Sequence, residues 1–172
     1  GENGHNPIDF VRAQTPAGDA LAIYSSAEAL SAHRPGDRPM ALDFRTIGLT
    51  ALIETGGRVV VNPGTDAVLL PRPAVAALAQ GDQWLPAWRD VALRELLLAE
   101  ASAACSAITD LSITYAGDGL TRVIVSVERS CFTGAANASA MKQSLTQALS
   151  HVGANRRLIA SADRVEIAPI LA

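Results

Sequence analysis

Residues 58–73 read "RVVVNPGTDAVLLPRP", and the way this stretch turns decides how the first half of the chain folds. Three consecutive valines without polar alternation describe a strand buried on both faces. Pro63 fixes φ and has no N–H, so that strand cannot continue in a ladder. Proline followed by glycine suits a type II turn that starts at Asn62 and puts Gly64 in the left-handed position. "AVLL" (67–70) is then the returning strand, and Pro71 ends it. Pro73 falls in the first turn of a helix over "AVAALAQ", where proline is tolerated, and Gly81 closes that helix. The reading of this stretch is a strand reversal. Its exposed corner, Asn62, Pro63 and Gly64, is also the candidate binding turn of the molecule.

Upstream, "LAIYSS" (21–26) reads as a strand running into a helix, "AEALSAH". Ser25 and Glu28 have the spacing of a capping box, in which each side chain satisfies an orphan amide. "RPGDRP" breaks the helix, and "MAL" (40–42) reads as a short extended piece. Asp43 caps a helix over "FRTIGLTALIET", in which Phe44, Ile47 and Ala51, with Leu52, recur at helical spacing, and Gly56 and Gly57 stop it. Residues 1–19 read as a flexible N-terminal segment. The first domain is placed at 20–81 and the second at 82–172, with the junction near 81–90.

The second half opens on an extended piece around Trp84 and Leu85. Asp90 caps a long helix whose inner face is Val91, Leu93, Leu97, Ala101 and Ala104. Two strands follow, "TDLSITYA" and "LTRVIVSVE". A three-residue loop, Gly117-Asp118-Gly119, sets Ile113 opposite Val123 and Leu111 opposite Val125, which keeps one face apolar. A type I turn with Gly119 in a bulge fits that loop. A helix with the stripe Met141, Leu145, Leu149 and Val152 ends at Gly153, and "RVEIAPIL" (164–171) is a last strand. The fold class is therefore α+β, in two mixed halves. The second is ferredoxin-like, β-α-β-β-α-β, with an antiparallel sheet.

Three pieces, "AIYSS", "ALDFRTIGLTALIETGGRVVVNPG" and "AVLLPRPAVAALAQG", resemble the N-terminal domain of the bacterial enhanced-serine-sensitivity (SseB) family. There a strand of the type Y/F-T/S-S leads a helix, and a "VNPG"-like turn precedes an apolar strand and helix. The second half is similar to the family's C-terminal domain: helix, hairpin, helix, final strand. The resemblance spans residues 20–172. It implies no reaction, cofactor or catalytic residue. The family name records a growth phenotype with serine, which makes an amino-acid ligand one reading.

The chain has 172 residues, 49% of them hydrophobic, and a net charge of −3 with acids and bases interspersed. That excludes the concentrated basic face of a nucleic-acid binder and a polybasic membrane anchor. No apolar run approaches the length of a membrane span. The N-terminus, "GENGHNPIDF", has no initiator Met and no basic or apolar leader region, and reads as a trimmed start. Cytoplasmic is the expected location.

Nucleotide, protease, hydrolase and redox motifs are all missing. His5 lies in the N-terminal segment; His33 and His151 lie at helix ends, where they complement the dipole. Trp84 and Trp88 are expected to pack the two halves together. The expected roster of catalytic, cofactor and metal residues is empty. Cys105 and Cys131 form a candidate cysteine pair. Extending the hairpin register outward, with Thr109 opposite Val127, brings 105 opposite 131. A disulfide there would point to an exported protein instead. The expected function is a non-enzymatic protein-interaction or regulatory protein with an unknown protein partner, homo-oligomerisation being left open. The alternatives are a small-molecule, amino-acid sensing module and an enzyme of unknown class.

Overall fold

The computed structural model describes residues 10–172 as an α+β protein with two mixed sheets. His5 lies outside the described residues. The first sheet is built from β1 (Arg12–Thr15), β2 (Gly18–Ile23), β3 (Val59–Val61) and β4 (Val68–Leu70), in that spatial order. Helices α1 (Ala27–His33) and α2 (Phe44–Thr55) connect β2 to its parallel neighbour β3. The opening stretch reverses as read: β4 returns antiparallel, pairing Val60 with Leu69. Helix α3 (Arg72–Ala79) follows, with Pro71 as its cap.

Several local expectations shift. Residues 12–15, assigned to a flexible segment, are strand β1, which pairs antiparallel with β2. Alternating exposure along β1 supports this, and its partly buried Ala13 packs with Ala20, Ala22, Val60 and Leu69 on one sheet face. "MAL" forms no strand. The cap of α1 is Ser26, not Ser25: its hydroxyl accepts from Ala29 N at 3.2 Å. Asp43 caps α2 as expected, its carboxylate accepting from Thr46 N at 2.9 Å; that bond holds the carboxyl below its usual pKa. Gly56 (φ 60°) and Gly57 (φ 83°) then unwind the helix.

The second half runs α4 (Val91–Ala104), β5 (Ile108–Tyr115), β6 (Leu120–Val127), α5 (Ala135–Ala154), α6 (Arg156–Ser161) and β7 (Arg164–Leu171). Its sheet has the order β5-β6-β7. The first two strands are antiparallel and the last two parallel. This corrects the ferredoxin-like, antiparallel expectation. Residues around Trp84 form no strand, because Pro86 leads instead into a 3-10 turn at Ala87–Arg89. The first strand of that plan is thus missing, and the α5–α6 crossover returns β7 parallel to β6.

The hairpin register holds where it matters. Ile113 pairs with Val123 and Leu111 with Val125. Thr109 is bulged out, so Val127 pairs with Ile108 instead. The tip differs from a type I turn: Asp118 (φ 49°) and Gly119 (φ 72°) are both left-handed, and Leu120 N bonds Gly117 O at 2.8 Å. That is the primed turn, whose twist matches the strands it joins. Gly153 is the penultimate residue of α5, without a left-handed φ; a side chain there would press Ile167 of β7.

On β7, Ala172 N donates to Val127 O at 2.9 Å. Amides alternate sides along a strand, so those of Ile170 and Ala168 also face β6. Position 169 faces outward, and the proline there costs the ladder nothing.

The larger core lies in the second half, where Leu93, Leu97 and Ala101 of α4 meet β5, β6, Ala148 and Val152 of α5 and Leu158 of α6. Val91, expected on the inner face, is 64% exposed. Beneath α2 and α3 the buried set is Leu21, Ala51, Val59 and Val75. Contact between the halves is narrow. Arg72 Nε donates to Asp163 at 2.7 Å, and Gly119 sits against Leu69. Protection from opening follows buried apolar contact. Amide exchange should therefore persist longest in α4, β5 and β6, with β1 to β4 opening first. Mass-spectrometric exchange showing the reverse order would contradict this core assignment.

Candidate functional site

The carboxyl ends of the parallel strands β2 and β3 carry a cluster of linked polar side chains. In open α/β sheets this is the end at which ligands bind. Tyr24 and Ser25 follow β2, Asn62 follows β3, and Asn62 N bonds Ile23 O at 2.9 Å. Asn62 adopts a left-handed φ of 51°, which asparagine tolerates better than other non-glycine residues. Its Oδ1 accepts from Ser25 N at 2.9 Å, and its Nδ2 donates to Ser25 Oγ at 3.0 Å. The reversal is therefore stitched to the β2–α1 turn. This also explains why Ser25 does not cap α1.

Thr65 N closes on Asn62 O at 3.4 Å, Pro63 is buried, and Gly64 holds a φ of 91°. A side chain on Gly64 would come within 2.5 Å of the His33 ring. That ring, on the last turn of α1, accepts or donates at Nδ1 to the Tyr24 hydroxyl, 2.9 Å away. Burial raises the Tyr24 pKa above its ordinary value; Arg34 opposes this shift and Asp37, which is ion-paired to Arg34, adds to it. The sequence singled out Asn62 and Gly64. It did not show that Ser25, Tyr24 and His33 surround them, because those contacts cross from one βα turn to another.

Gly64→Val meets both the backbone and the histidine ring. The expected loss is about 1–3 kcal/mol, the usual cost of a strained φ. Urea unfolding measures it; a midpoint equal to that of the parent would mean the turn is not left-handed.

Beside this cluster a cleft of about 1000 Å³ is lined by Tyr24, Ser25, Leu30, Arg38, Met40 and Ile47, among others. A second groove, of about 970 Å³, runs between α2 and α3 and is walled by Leu49, Leu52, Val75, Leu78 and Ala79. The helices meet closely beside it: a side chain on Gly48 would lie 2.6 Å from Ala79 Cβ. Leu49, Leu52 and Ile53 on the outer face of α2 are 52%, 65% and 85% exposed. The sequence pattern grouped Phe44, Ile47 and Ala51 with Leu52; the first three pack inward, whereas Leu52 lies on the outer face with Leu49 and Ile53.

The remaining residues singled out in the sequence lie apart from these sites. Trp88 packs on the core of the second half, 4.9 Å between ring centroids from Tyr115, and Trp84 meets Trp88 edge-on at 5.9 Å. Trp88 therefore packs on the core of the second half, and Trp84 packs edge-on against it. Cys105 and Cys131 are both free thiols on the same core, and Cys105 Sγ lies 3.6 Å from Met141 Sδ. No disulfide joins them, so the export alternative loses its basis. Among the described residues, no His, Cys, Asp or Glu group could hold a metal ion, and no helix is long and apolar enough to cross a membrane.

Neither a curated protein nor a solved structure matches the chain significantly. A family model does: residues 2–77, which hold β1 to β4, the Asn62 turn and most of α3, match the SseB protein N-terminal domain.

Proposed function

We propose that the chain is a non-enzymatic interaction protein that docks another protein chain on the outer face of α2 and the adjoining groove. One observation carries this reading: Leu49, Leu52 and Ile53 stand in solvent at helical spacing, beside an apolar groove. Large contiguous apolar surface marks interaction sites. Helical partners anchor such surfaces through residues at i, i+3 and i+4. Burying one Ile side chain contributes roughly 1.5–3 kcal/mol, enough to make Ile53 an anchor. Ile53→Glu should abolish capture of the partner by immobilised chain while leaving the melting temperature within a degree or two. Retained capture would overturn the reading.

The polar cluster favours a second reading, a small amino-acid ligand held near Tyr24, Ser25 and Asn62 in the cleft at the strand ends. A ligand that binds only the folded state raises its stability by mass action. A panel of amino acids at millimolar concentration that leaves the melting temperature unmoved would remove this reading.

A further inference from the structure

The outer face of α2 poses a specific problem. Phe44, Ile47 and Ala51 pack inward against Leu21, Val59 and Val75. Leu49, Leu52 and Ile53 face the other way and have no cover among the described residues. A helix that is apolar on all sides is a buried helix.

We infer that this face is covered by a second copy of the same chain, packed about a two-fold axis with the two α2 helices antiparallel. The inference rests on the reading that the face docks protein. It adds the identity of the occupant.

The shape of the face is the first argument. A two-fold interface uses one patch on both subunits, so that patch must be complementary to itself. Here the ridge of Leu49, Leu52 and Ile53 lies alongside the groove between α2 and α3. Each ridge can enter the other copy's groove. An antiparallel alignment centred between Thr50 and Ala51 sets Leu49 against Leu52 of the partner subunit.

Charge is the second argument. One end of the groove carries Asp43 and Arg45; the other carries Gly56, Gly57 and Arg72. Antiparallel packing brings Asp43 toward Arg72 of the partner subunit, a half-exposed guanidinium that also pairs with Asp163 of its own chain. Such charges select partner and register more than they add affinity.

Sedimentation equilibrium of the full chain tests this. The expected mass is about twice the 17.9 kDa of the monomer. Ile53→Glu should return the monomer mass with an unchanged far-ultraviolet spectrum; Ile53→Ser serves if Glu disturbs folding. Val91→Glu, at an equally apolar exposed position on α4, should leave the dimer intact. A parent chain monomeric at hundreds of micromolar overturns the inference, as does a dimer indifferent to Ile53. The two readings fail separately. A monomeric parent that still captures another protein in an Ile53-dependent way removes the second copy as occupant and leaves the docking function standing. A monomer that captures nothing removes both.

Discussion

Asp90→Ala should be among the most damaging single changes in this chain. The carboxylate is 7% exposed and accepts from Leu93 N at 3.0 Å, capping α4. It also holds the Arg157 guanidinium of α6 in a two-pronged grip, at 2.7 and 3.0 Å. Losing a cap costs about 0.5–2 kcal/mol. Losing hydrogen bonds between charged groups costs about 1.5–3 kcal/mol more. Arg157 is 47% exposed and regains water once released, which discounts the second contribution. The sum is about 2–4 kcal/mol, read from urea unfolding. Asp90→Asn should lose less, since the amide oxygen still caps the helix. A loss under half a kilocalorie per mole for Asp90→Ala would show that α4 and α6 are held by packing alone.

Leu97→Ala should cost about as much or more, roughly 2–5 kcal/mol, because deletion leaves a cavity that a packed core closes only in part. Leu97 is fully buried on the middle turns of α4, within the cluster that joins that helix to β5, β6, α5 and α6. Thermal unfolding should show the loss as a lower midpoint. The neighbouring Leu96→Ala, at a position 40% exposed, should change it little. Equal effects at the two positions would mean that the face of α4 has been misassigned.

Elements specified by nearby residues were legible in the sequence. The turn at Asn62–Gly64 announces itself through Pro63 and Gly64. The hairpin register followed from Leu111, Ile113, Val123 and Val125, since one residue of slip would turn every valine outward. Caps at Asp43 and Asp90 were readable for the same local reason. What escaped depends on partners far along the chain. The grip between Asp90 and Arg157 leaves no sequence pattern, nor does the bond of Asn62 to Ser25. The sheet plan failed at Trp84, where an apolar pair beside Pro86 suited a strand or a 3-10 turn equally well. The direction of β7 depends on the route of α5 and α6, and α6 itself was not recognised. The exposed stripe of α2 was visible but hidden by its own helix, because two apolar faces in twelve residues blur the period that separates inside from outside.

Pro169 has a bearing on how this molecule meets others. A sheet margin is a template, and any extended chain of the right length can be copied onto it. At β7 the template has a missing letter: midway along the margin the donor that an added strand would need is replaced by a ring carbon. Polymers that grow by adding strands beyond this margin would have to skip that position or break register. Evolution of new assemblies from this half is thereby steered away from cross-β growth and toward surfaces made of side chains.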